Sequence, residues 1–85
     1  MATHFAKGLR QWRADTGLSL RGQARLIGCS PSYLVKLQAG DGAPSGDFMS
    51  RCIANVNEPW ASVLRQSRQR DIEAADATAV GLLVA

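Results

Sequence analysis

Eighty-five residues suffice for one compact domain, and a chain this short builds only a modest core. With 46% hydrophobic and 20% charged residues the composition is globular and excludes a disordered chain, and no apolar run reaches membrane-spanning length. The net charge of +3 is unevenly spread: residues 1–70 carry all ten Lys and Arg against four acids, whereas residues 71–85 carry Asp71, Glu73 and Asp76 and no base.

Phe5, Leu9 and Trp12 recur at helical spacing, with Lys7, Arg10 and Arg13 mostly on other faces. That pattern predicts a first helix over residues 3–15, capped by Thr3 and stopped by Gly17. Ser19 caps a second helix, Leu20–Ile27, which shows Leu20, Ala24 and Ile27 on one stripe and closes at Gly28. Ser30 and Pro31 open a third at once, since serine accepts from free N–H groups and proline suits the first helical position. It runs over Pro31–Ala39, buries Leu34 and Leu37 and ends at Gly40. A Gly/Pro/Asp-rich loop follows over Gly40–Gly46. Ser45 or Asp47 caps a fourth helix whose apolar face takes Phe48 or Met49, Cys52, Ile53 and Val56. Asn57 or Glu58, before Pro59, starts a fifth, with Trp60, Val63, Leu64 and Ile72 at helical spacing to about residue 76. The Ala- and Val-rich end, Ala79–Ala85, is open between helix, strand and loop.

Chemistry-bearing clusters are few. Cys29 and Cys52 fit no metal spacing, and His4 is the only histidine, so the thiols read as small buried hydrophobes and no metal or cofactor is expected. Without a paired acid and base or a phosphate-cradling glycine motif, the chain is not expected to be an enzyme. Lacking an export segment, it is expected in the cytoplasm, with no membrane partner. Its basic body suits a polyanion, and its acidic end faces away from one or towards another partner.

Two short helices joined by a tight Gly-x-Ser-Pro turn, the first with arginines and the second with small polar residues, suit the major groove of DNA. In such a pair the first helix crosses the backbone and the second offers side chains to base edges. Ala24 is small where the helices cross, Gly28 takes a positive φ that a Cβ would penalise, and Leu34 and Leu37 anchor the second helix.

The run GLSLRGQARLIGCSPSYLVKLQAG, residues 17–40, resembles the Cro/C1 (Xre-type) helix-turn-helix family of phage and bacterial regulators. The likeness extends from about Phe5 to Val56, with an arginine in the first helix at Arg13 and Pro44-Ser45 before the fourth. It implies an all-α, five-helix lambda-repressor-like domain over residues 1–57, with a C-terminal helix and tail over 58–85 as candidate dimerisation or partner-binding segment. It also implies a sequence-specific transcriptional regulator, a repressor, that binds double-stranded DNA as a homodimer. The roles carried over give phosphate to Ser19, Ser30 and the helix starts with Arg21 nearby, and bases to Pro31, Ser32, Val35 and Lys36. Lys36 can donate to guanine, Ser32 suits any base edge, and Val35 suits a thymine methyl. Tyr33 suits a phosphate oxygen or packs its ring on the second helix. Trp60 reads as core or as part of a dimer seam, and Arg65, Arg68 and Arg70 as a solvated face balanced by Asp71 and Glu73.

The chain departs from the family's pattern at several positions. Gln23 stands where a buried leucine is usual, so its amide bonds within the fold or meets something outside it. Leu20 replaces a residue that often touches phosphate, and Asp41 stands where a base is common. Gln38 replaces an acid that pairs with the first-helix arginine, and its amide oxygen is a substitute acceptor for Arg13. Weaker phosphate contacts leave two alternatives: an antitoxin-like or accessory protein-interaction module, and an architectural or recombination factor that bends DNA.

Overall fold

A computed structural model describes the backbone of residues 2–84 and the side chains of residues 2–75. Among the described residues it is all-helical, with no strand: α1 His4–Thr16, α2 Leu20–Ile27, α3 Pro31–Ala39, α4 Gly46–Ala54 and α5 Trp60–Val84. No helix among them is long and apolar enough to cross a membrane.

The helix starts follow the capping residues. Thr3, Ser19, Ser30 and Ser45 each hold an extended backbone and accept from the N–H three residues on: Ala6, Gly22, Tyr33 and Phe48. Ser45, not Asp47, therefore caps α4. Each cap satisfies one donor that the helix cannot, worth about 1 kcal/mol. Gly28, between α2 and α3, sits at φ +84°, where a side chain would be strained. Before α5, Asn57 and Glu58 act together. The Asn57 carbonyl accepts from the Trp60 and Ala61 N–H groups. The Glu58 carboxylate accepts from the Ser62 N–H and hydroxyl and from Arg65, which hold its carboxyl below the usual range.

One core joins all five helices. Phe5, Leu9 and Trp12 from α1 meet Ala24 and Ile27 from α2, Leu34 and Leu37 from α3, Phe48 and Cys52 from α4, and Leu64 from α5. Fully burying a Leu, Ile or Phe side chain contributes about 1.5–3 kcal/mol, so these few positions carry most of the fold. Trp60 packs partly buried against this core. The first turns of the 58–85 segment thus share the core of the preceding helices.

α5 packs along both α1 and α4. The approach to α1 is close at Gly8: a Cβ there would lie 3.1 Å from Leu64 Cδ2 and 3.2 Å from Ser67 Oγ. Asp71 then reaches across, its two carboxylate oxygens accepting from the His4 N–H at 2.8 Å and the Phe5 N–H at 3.0 Å. The negative carboxylate meets the positive end of the α1 dipole. Two expectations change here. Asp71 does not balance the α5 arginines, because the start of α1 takes both its oxygens; Arg65 pairs with Glu58 at 2.9 Å instead. Ile72 is 46% exposed rather than part of the apolar face, because α1 begins at His4, beside Asp71, and offers α5 nothing further to pack on. The helix nevertheless continues past residue 76 to Val84, through an alanine-rich stretch free of proline.

Candidate functional site

The residues singled out in the sequence fall on α2, α3 and the turn between them. Ser32, Val35 and Lys36 are all exposed and, with Ala39, recur at helical spacing along one face of α3. Val35 is 52% exposed, as Leu26 on α2 is at 50%. No described part of the chain covers this face. Arg21 and the cap serines Ser19 and Ser30 are exposed as well, while Pro31 is half-buried. The two serine hydroxyls are engaged at the helix starts, Ser19 with Gly22 at 2.9 Å and Ser30 with Tyr33 at 3.2 Å.

Tyr33 has a neighbour that its sequence did not announce. Its half-buried ring meets Phe48 of α4 edge to face, centroids 4.9 Å apart. The pairing arises because Phe48 enters the core one turn from the cap of α4, beside the exposed edge of α3.

Two buried amides fix how α2 and α3 are presented. Gln23, fully buried, donates from Nε2 to the Leu9 carbonyl at 2.8 Å, so its bond lies within the fold. Gln38 accepts from the Arg13 guanidinium through Oε1 at 3.0 Å, as the substitution of acid by amide implied. α1 thereby holds one end of α2 and the C-terminal turn of α3. Both clamps leave atoms without a partner among the described residues: Gln23 Oε1, Gln38 Nε2 and Arg13 Nε. Each such orphan costs about 1–3 kcal/mol, a cost tolerated here for fixed geometry.

Arg51 is a residue that sequence reasoning passed over. From α4 its guanidinium donates to the Gly28 carbonyl at 3.3 Å while remaining exposed, setting a cation two residues before the Ser30 cap. Its helical period placed it on a solvent face of α4, and only the tertiary packing brings that face to the α2–α3 turn. Cys29 and Cys52 lie near it. Burial pushes the Cys52 thiol up to about 12, with Cys29 adding to the rise and Arg51 opposing it. Cys29 is raised too, burial outweighing the Arg51 charge. Both thiols therefore hold their protons at neutral pH, as small hydrophobes do.

Electrostatically the region is one-sided. Residues 17–40 hold Arg21, Arg25 and Lys36 and no acid, and Arg51 adds a fourth cation at the turn. The chain matches no family model, no curated protein and no solved structure. The arrangement rests on its own chemistry: two capped helix starts, four cations that make no ion pair among the described residues, and one uncovered helix face carrying Ser32, Val35 and Lys36.

Proposed function

We propose that Ser19–Gln38 is a helix-turn-helix and that the protein is a sequence-specific DNA-binding regulator, a repressor that occupies its operator. The observation that carries this reading is the uncovered face of α3, where Ser32, Val35 and Lys36 stand exposed in a stretch free of acids. A helix set in the major groove needs such a face, and a 12 Å groove admits it. Arg21 and the start of α2 contact phosphate, and Arg51 joins them at the α2–α3 turn. Ser32 and Lys36 read base edges, and Val35 meets a thymine methyl. The Cro/C1-like pattern of residues 17–40 supports the same assignment. One module reads only a few base pairs, so useful specificity needs two copies on half-sites about 34 Å apart.

Selection of bound sequences from random duplexes at fixed salt tests the reading. A defined, two-fold-related sequence is the expected result; binding without enrichment at any salt defeats it. Lys36→Ala should relax base preference at one position, by about 1–3 kcal/mol of discrimination. Arg21→Ala and Arg51→Ala should weaken every sequence alike and lower the salt slope by about one each.

A further inference from the structure

A cleft of about 540 Å³ lies where the last turns of α1 meet α2 and the segment between α4 and α5. That volume falls within the roughly 300–1,000 Å³ of small-molecule sites. No residue of α3 lines it, so it is separate from the face assigned to DNA. Both tryptophans of the chain do, Trp12 and Trp60, together with Leu18, Leu26, Val56 and Pro59. Trp12 is nearly buried, whereas Leu26 stands half-exposed on α2, an aliphatic side chain that the core does not take up.

Apart from the indole N–H groups and the Asn57 amide, the polar groups of the wall are acceptors. Among the ten described residues that line the cleft, Glu58 alone is charged, and there is no Lys, Arg or His. Ser62 and Arg65 hold the Glu58 carboxyl below the usual range, so it is ionised at neutral pH, and Arg65 itself stands outside the wall. The Asn55 amide nitrogen is engaged by the Arg51 carbonyl at 2.8 Å, which leaves its oxygen. Thr16 donates its hydroxyl proton to the Trp12 carbonyl at 2.7 Å and keeps only lone pairs.

We infer that this cleft binds a small aromatic amine. The ring lies among the two indoles and the aliphatic side chains, and the ammonium faces the Glu58 carboxylate and the oxygens of Asn55 and Thr16. An ammonium brings three donors and no acceptor, which matches a rim of oxygens, and tryptophan faces attract a cation further. An aromatic carboxylate of the same size finds no cation on this wall and meets Glu58, a like charge that weakens binding.

Because Trp12 and Trp60 are the only tryptophans, indole fluorescence and the two indole N–H signals of a proton–nitrogen correlation spectrum both report on the cleft. The probe is phenethylamine, with phenylacetate as the carboxylate of matching shape. Phenethylamine should shift both readouts saturably, with half-saturation at about 1 mM, and phenylacetate should bind at least about tenfold more weakly. Leu26→Lys, at a half-exposed position, should keep the helical circular dichroism and weaken phenethylamine at least about tenfold, since it places a cation beside the amine. Glu58→Gln keeps the shape and removes the charge, and should bring the two probes to similar affinity. The absence of a saturable change with phenethylamine overturns the proposal. So does equal binding of both probes by the unaltered protein, a Leu26→Lys variant that binds as before, or a Glu58→Gln variant that keeps the full preference for the amine. The measurement uses the full chain without DNA, so its outcome leaves the reading of α3 as it stands.

Discussion

The α2–α3 pair and the α1–α5 pair share one core but are assembled by different means. α2 and α3 are joined by a three-residue turn, and their caps, glycine and small crossing residue lie within a few positions of one another. α1 and α5 are joined only by contacts across most of the chain: Gly8 against Leu64 and Ser67, and Asp71 on the His4 and Phe5 N–H groups. The first pair is specified by neighbours in sequence and exposes the Ser32, Val35 and Lys36 face of α3. The second is specified by distant partners, and it holds the first in place through α1. A local motif can thus be complete in its own signals and still depend on remote residues for its orientation.

The sharpest way to break that contrast is Leu64→Ala. If α5 is integral to the core, this change costs about 2–5 kcal/mol in urea denaturation, as much as Leu34→Ala, with one cooperative transition for both. A separate early transition for α5 would make it an appendage instead. Next comes Asp71→Ala, which strips two N–H groups of their acceptor at once and should cost about 1–2 kcal/mol. The local cap removed by Ser19→Ala should cost about 1 kcal/mol; equal or larger loss there would erase the distinction between remote and local capping. Smaller still is Gln38→Glu, expected to stabilise by up to about 1 kcal/mol, since a carboxylate can also accept from Arg13 Nε and the orphan Nε2 disappears. A destabilised variant would show that the amide, not the charge, suits that site.

The last test moves nothing at neutral pH. The native Cys52 thiol keeps its proton to about pH 12, whereas the unfolded one ionises near 9.0. Folding stability is therefore intact below 9.0 and falls as pH rises from there towards 12, a slope that Cys52→Ala should reduce, leaving the smaller part due to Cys29. In native protein at mild alkaline pH, Cys29, only half-buried, should react with thiol reagents before Cys52.

What could be read in the sequence follows the same division. The caps Thr3, Ser19 and Ser30, the turn glycine Gly28 and the anchors Leu34 and Leu37 are written in local patterns of period and punctuation. Their helices appear where those patterns end. The Arg13–Gln38 bond was also legible, because one substitution implied its compensation. Arg51, Asp71 and Gly8 were not, since each acts through a partner dozens of residues away, and periodicity says only which face of its own helix a residue occupies. Ile72 misled for a related reason: helical spacing marks it as core, but spacing carries no information about where the neighbouring helix runs out.

The Gln38–Arg13 bond has a mechanical meaning. From the exposed helix α3 it leads into α1, and from the first residues of α1 the Asp71 carboxylate leads into α5. Rigid elements and short bonds thus connect the outermost turn of α3 to the tail, with no flexible linker between them. The exposed face of α3 and the axis of α5 are thereby held at one fixed angle, like the jaws of a locked caliper.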